Sequence, residues 1–262
     1  MSLVSLSWPI QCDQRTHYVR AVIRRAVVQD TWLNLKRNQA NLLPWFSEDE
    51  CKQLVRFPVL KRQVDWLAGR LVAKACAQYL RPAQQASDVV FTYDAFGRPC
   101  WVNGYYCSLS HTHERAVAVV AAQPVGVDVE TLRNRQSELL KLFVFDDEIR
   151  TVKTRLLVDE NHAYAVLWSL KEAFFKAVGQ GDFLTFARAV RLLHWVDHQL
   201  QWQVALNYQH VLLPLNRKHS SATWAVDLVI EQSCLEVVVF NPIFSERFTV
   251  YERNQSQHFA HV

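Results

Sequence analysis

Trp168 to Ala177 reads WSLKEAFFKA, and about forty residues upstream Pro124 to Glu130 reads PVGVDVE. How these two stretches meet decides the fold. At about 100° per residue, Ala163, Val166, Leu167, Leu170, Phe174 and Ala177 share one side, the apolar stripe of a helix laid on a core. Trp168, Glu172 and Lys176 recur every four residues on the opposite side, an exposed column with Lys171 near its border. In PVGVDVE, Val125, Val127 and Val129 alternate with Gly126, Asp128 and Glu130, which is the period of a strand. Asp128 and Glu130 therefore project from one strand face. Together with Glu172 from the helix they form a hard, all-oxygen site. Mg²⁺ prefers such a site, with waters and substrate phosphates completing its octahedron. Lys171 and Lys176 would face those phosphates.

GVDVE followed by WSLKEAFFKA resembles the two-part signature of the 4′-phosphopantetheinyl transferases, in their larger, surfactin-synthetase type. Two upstream motifs extend the likeness. Gly97-Arg98-Pro99 is similar to the family's loop along the nucleotide, and Ser108 to His111, SLSH, resembles its N-[IV]-S-H box with serine in place of asparagine. The resemblance implies an α+β fold of two similar halves related by a pseudo-twofold axis, with coenzyme A in the cleft between them. The halves would be residues 1–124 and 125–262.

It also implies roles. Asp128, Glu130 and Glu172 would hold Mg²⁺, with Asp128 also against coenzyme A. Arg98, Ser108, Ser110, His111 and Lys176 would bind the phosphates. Lys52 and Arg56 are the nearest candidates for the 3′-phosphate, where Gln53 stands in for a cation of some relatives. Glu172 would take the proton of the attacking serine, directly or through a metal-bound water. Lys171 would assist as a cation or proton relay. The implied reaction moves the 4′-phosphopantetheine arm of coenzyme A to a serine of an apo acyl or peptidyl carrier protein and releases 3′,5′-ADP. Arg133 to Arg155 carries Arg133, Arg135, Lys141, Arg150, Lys153 and Arg155, a basic surface suited to steering an acidic carrier protein. The family also implies a monomer.

The remaining elements follow from local signals. Ser47 and Glu50 form an S-x-x-E capping box, with Phe46 placed to staple the helix entry. A second helix runs over about 60–79 and ends at Arg81-Pro82. Tyr18 to Val28 fits a strand or a short helix, and Arg24-Arg25 reads as a solvated face. Val89 to Trp101 reads as strand, turn, strand, with Asp94, Gly97 and Pro99 in the turn. Short strands follow at 189–195, 201–206, 211–215 and 222–230. The stretch from Glu231 reads as a tail with one apolar run, Cys234 to Phe240, and no assigned role.

Composition bounds the class. Half of the 262 residues are hydrophobic, enough for a substantial core in one large or two ordinary domains. A net charge of +4 allows an acidic partner without demanding nucleic acid. Six cysteines form no CxxC pair and no zinc spacing, which suits free thiols in a reducing cytoplasm. No apolar run is long enough for a signal peptide or a membrane span. Two other classes fit clustered carboxylates less completely. A Mg²⁺-dependent phosphodiesterase or phosphatase leaves the GRP and SLSH motifs without a role, and a non-catalytic carrier-protein-binding module leaves the acids and Lys176 without one.

Overall fold

The computed structural model describes residues 8–94, 97–101, 104–132, 142–178, 181–204, 221–231 and 234–241. They form two antiparallel sheets, each backed by one long helix. The first half holds β1 (Gln11–Gln14), β2 (Val19–Arg24), α1 (Arg25–Asn34), α2 (Glu48–Val55), α3 (Leu60–Leu80), β3 (Phe91–Tyr93), β4 (Pro99–Trp101), β5 (Tyr105–His111) and β6 (Arg115–Ala121). The second holds β7 (Val125–Thr131), α4 (Asp146–Leu156), α5 (Glu160–Val178), α6 (Phe183–Ala189), β8 (Val190–Val196), β9 (Gln199–Val204), β10 (Ser221–Glu231) and β11 (Cys234–Phe240).

The two strand orders match. The first sheet runs β1-β2-β6-β5-β4-β3 and the second β7-β11-β10-β9-β8. With β1 set aside, the first strand of each half lies beside the last, and the intervening hairpins run outward. This is the two-half α+β layout expected from the sequence.

Burial explains the composition of the middle strands. Strands β6 (RAVAVVA) and β11 (CLEVVVF) carry apolar residues on both faces. One face of each meets the long helix of its own half, and the other meets the opposite sheet. Val117, Val119, Val125, Val127, Val238 and Phe240 form the core between the sheets. A polar seam crosses it. Tyr18 donates its hydroxyl to Asp227, 2.7 Å away, and the Arg20 guanidinium chelates Glu236 through Nε and Nη2. Glu236 is the one charged residue of β11, and this pairing permits its burial.

Local signals set the helices. Ser47 accepts the Glu50 N–H, and Glu50 returns the bond to the Ser47 N–H, so the capping box forms as expected. Phe46 is buried against Trp66. Helix α5 buries Ala163, Val166, Leu167, Leu170, Phe174 and Ala177, the stripe read from its periodicity. Trp195, Trp202 and Trp224 are core residues.

Three expectations are corrected. Tyr18 to Val28 is neither one strand nor one helix, but β2 running directly into α1. Arg25 is not solvated. It is buried, with Nη1 donating to Thr112 O at 2.9 Å and Nη2 paired with Asp65. Cys234 to Phe240 is no tail but the second strand of its sheet, paired residue for residue with β7. The expected strand at 211–215 and the basic residues Arg133, Arg135 and Lys141 lie outside the described residues.

Candidate active site

The site forms where β7 and α5 cross at the edge of the second sheet. Gly126 brings them together. A Cβ at Gly126 would stand 1.8 Å from Ala173 O and 2.8 Å from Ala177 N, so only a residue without a side chain lets the strand lie on the helix. Two residues on, Asp128 faces the helix, with Glu130 after it. One oxygen from each of Asp128, Glu130 and Glu172 lies within 4.8 Å of the others. The three acids thus converge as the alternation and the helical period required.

Asp128 is 2% exposed, and its Oδ2 is buried without a hydrogen-bond partner. A buried carboxylate oxygen is strongly disfavoured without a donor or a cation. An orphaned acceptor beside two further carboxylates is the donor set of a hard divalent cation. The residues present therefore fit Mg²⁺.

Lys176 is the built-in counter-charge. Its Nζ lies 2.9 Å from Asp128 Oδ1, 3.1 Å from Glu172 Oε1 and 3.2 Å from Ser110 Oγ. Burial works to lower its pKa, but Asp128 and Glu172 outweigh it and hold the ammonium above the ordinary lysine value. Ser110 completes the knot. Its hydroxyl donates to Asp128 Oδ1 at 3.0 Å and accepts the Val129 N–H at 3.2 Å.

That last bond shows how the first half supplies the site. β7 is an edge strand, and its outward N–H groups need acceptors. Ser108 Oγ accepts Val127 N–H at 3.0 Å, two residues before the matching bond from Val129 to Ser110. Two serines on one face of β5 thus stitch the halves together beside the acids. Ser108 is 2% exposed, and its hydroxyl oxygen, by accepting the Val127 N–H, ties β5 to β7 in the seam.

His111, at the exposed end of β5, lies in the field of Asp65, Arg25, Lys176 and Lys61. Partial desolvation lowers its pKa. Asp65 opposes that shift, and the cations reinforce it. Arg98 touches the end of α5, donating from Nη1 to Ala177 O at 3.1 Å while its Nε binds Asp94 at 2.7 Å. Gly97 has φ +78°, which glycine adopts without strain and which turns the loop back toward the helix.

Lys171 is corrected outright. It is 1% exposed, and its Nζ is bound to Phe143 O, Glu148 Oε2, Ala187 O and Val190 O at 2.7–3.0 Å. An ammonium with four acceptors inside the protein cannot face phosphates or relay a proton. Trp168 is no exposed column either, since its ring packs edge-on against Phe143 and Phe183. Lys52 and Arg56 sit exposed at the end of α2, with Lys52 paired to Glu48 and Asp49 of its own helix.

Comparison with known proteins agrees with this geometry. The profile of the 4′-phosphopantetheinyl transferase superfamily matches residues 124–228, and that of the 4′-phosphopantetheinyl transferase N-terminal domain matches 50–121. Enterobactin synthase component D of Escherichia coli O157:H7 is 30% identical over 170 residues, 63% of this chain and 73% of the relative. The chain belongs to the 4′-phosphopantetheinyl transferase superfamily. Further relatives are the 4′-phosphopantetheinyl transferase gsp of Aneurinibacillus migulanus, 23% identical over 75% of this chain and 78% of its own, and Sfp of Bacillus subtilis (strain 168), 27% identical over 36% and 43%.

In this phosphopantetheinyl transferase, two contributors escaped the sequence reading. Arg25 and Asp65 form a buried pair behind the β5–β6 turn. The Arg25 side chain and backbone N–H hold Thr112 O and Glu114 O, fixing the turn from which His111 projects. Only the long-range pairing of Arg25 with Asp65 distinguishes it from a surface arginine, and local sequence carries no such signal.

Proposed function

We propose that the protein transfers the 4′-phosphopantetheine arm of coenzyme A to a serine hydroxyl of an apo carrier protein, releasing 3′,5′-ADP. The observation that carries this reading is the convergence of Asp128, Glu130 and Glu172 within 4.8 Å, with Lys176 between two of them.

Asp128, Glu130 and Glu172 would hold Mg²⁺, which when bound neutralises pyrophosphate charge and polarises the attacked phosphorus. The protein's own groups do the rest by position and charge. Lys176, kept protonated by its acidic neighbours, presents a compact cation to a phosphate oxygen. Ser110 fixes the directions of both Asp128 and Lys176. Glu172 is more open than Asp128, its side chain 28% exposed against 3%. It is therefore the group placed to accept the serine proton. His111, at the exposed end of β5, offers a ring N–H to a phosphate oxygen. Arg98 supplies a cation at the end of α5. Lys52 and Arg56 remain candidates for the 3′-phosphate, and Lys61, beside Asp65 and exposed, adds a cation on the His111 side.

The carrier protein would dock over α4, whose exposed Arg150, Lys153 and Arg155 suit an acidic partner. The protein would act as a monomer. Its free cysteines suit a reducing cytoplasm. No helix among the described residues is long and apolar enough to cross a membrane.

The test is direct. The protein is mixed with coenzyme A, Mg²⁺ and an apo carrier domain, and the carrier is weighed by mass spectrometry. A gain of one phosphopantetheine mass is expected. An unchanged carrier, or cleavage of a generic phosphodiester in its place, overturns the reading.

A further inference from the structure

The burial of Lys171 has a twin in the other half. Lys74 is fully buried in α3, and its Nζ lies 2.9 Å from Ala86 O, 2.7 Å from Val89 O and 2.9 Å from Glu50 Oε2. Lys171 in α5 meets Ala187 O, Val190 O and Glu148 Oε2 at 2.9, 2.8 and 3.0 Å. Apart from Phe143 O, which meets Lys171 at 2.7 Å, the parts correspond one to one. Each lysine comes from the long helix of its half. Each carboxylate sits three residues past the N-cap of the preceding helix and accepts that N-cap's backbone N–H, Ser47 for Glu50 and Phe145 for Glu148. Each pair of carbonyls is three residues apart in the segment leading to the next strand, β3 or β8.

This correspondence aligns the halves. With Lys74 set on Lys171, Ala75 stands where Glu172 stands, and Tyr79 where Lys176 stands. In the strands, Cys76 meets Val19 as Ala173 meets Gly126. Counting on two and four residues puts Ala21 and Ile23 in the places of Asp128 and Glu130. The first half therefore keeps the lysine clamp and has none of the acids. The clamp is a device of the repeated fold, separable from the chemistry.

In the second half the clamp adjoins the site, because Glu172 follows Lys171 directly. We propose that Lys171, with Glu148, is a positioning pair that locks α5 against α4 and the start of β8, so that Glu172 is held opposite Asp128 and Glu130. Lys171 touches neither substrate nor metal. The proposal rests on the metal site described above, but its main readout does not require turnover.

Lys171→Met and Lys74→Met are compared in the full chain. Lys74→Met leaves a carboxylate and two carbonyls without their buried donor and Lys171→Met a carboxylate and three, and both should lower Tm, on the order of 10 °C. Mn²⁺ alone, titrated by electron paramagnetic resonance, separates them. Lys171→Met should weaken Mn²⁺ binding by about tenfold or more, as loss of an outer-shell partner does, whereas Lys74→Met leaves it unchanged. At saturating Mg²⁺ and a temperature where both are folded, transfer by Lys171→Met should stay within a few-fold of wild type, with the loss expressed as a higher Mg²⁺ requirement.

Glu148→Gln, a milder change that keeps the lysine, should move Mn²⁺ affinity in the same direction and decides the matter if Lys171→Met does not fold. Wild-type Mn²⁺ affinity in the folded variants overturns the proposal. So does a collapse of kcat that saturating metal fails to restore, which would put Lys171 in the chemistry. A wild-type protein that binds Mn²⁺ yet transfers nothing would defeat the transferase reading instead, and leave this comparison standing.

Discussion

Gly126→Ala tests how the site is assembled. The added methyl would stand 1.8 Å from Ala173 O and 2.9 Å from Ala173 C. Even a close C–H···O contact needs about 3.3 Å, so β7 and α5 must separate by roughly 1.5 Å. The obstacle is helix backbone, which cannot swing aside as a side chain does. Asp128 and Glu130 ride on the displaced strand and Glu172 on the helix, so the acids move apart by a similar distance. A metal site tolerates only about 0.2 Å in its ligand distances, and a 1 Å misplacement in an active site can cost on the order of 10²-fold in rate. Overpacking should also cost about 1–3 kcal/mol of stability.

The expected result is a protein with lowered Tm, Mn²⁺ affinity down by at least about tenfold, and transfer reduced by on the order of 10²-fold. Gly69→Ala is the control. A Cβ there meets nothing closer than Leu109 Cδ1 at 4.0 Å, and alanine in a helix interior should be neutral or stabilising by about 0.5–1 kcal/mol. A Gly126→Ala protein with wild-type metal affinity and wild-type transfer would refute the reasoning, because the strand could then leave the helix without opening the site.

Other perturbations probe single groups. Glu172→Gln should reduce transfer by about 10²–10³-fold with an unchanged circular dichroism spectrum, and transfer within a few-fold of wild type would remove Glu172 from the mechanism. Arg25→Ala leaves the largely buried Asp65 facing Lys61 at 3.8 Å without its guanidinium partner and should cost up to about 3 kcal/mol by denaturant unfolding, with KM for coenzyme A raised more than kcat is lowered if the pair positions His111. His111 has a folded-state pKa below its ordinary 6.5. At pH above that value both folded and unfolded states are neutral there. As pH falls below it the unfolded state takes up the proton first, so stability is lost. His111→Gln should therefore flatten the fall in Tm just below pH 6.5, and an identical Tm–pH curve would contradict a lowered His111 pKa.

Much of this arrangement was legible in the chain because it rests on local periodicity. The 3.6-residue stripe from Ala163 to Ala177 and the alternation from Val125 to Glu130 each fix which side chains share a face. Two such faces were enough to bring Asp128, Glu130 and Glu172 together. The capping box at Ser47 is equally local.

What failed depends on distant partners. Lys171 lies at the border of its helix face, and its side chain is buried only because carbonyls of residues 143, 187 and 190 arrive there. Ser108 and Ser110 share a strand face, yet Ser108 is drawn into the seam by Val127 and Ser110 into the acid cluster by Asp128. Cys234 to Phe240 is an apolar run without alternation. Such a run fits a strand covered on both faces, but only its pairing with β7 reveals that it supports the site.

The most direct measurement is crystallographic. Crystals grown with coenzyme A and soaked in Mn²⁺ should give a single anomalous peak about 2.1 Å from an oxygen of each of Asp128, Glu130 and Glu172. A peak that leaves out any one of the three, or an ion bound only elsewhere on the protein, would contradict a shared divalent cation at the crossing of β7 and α5.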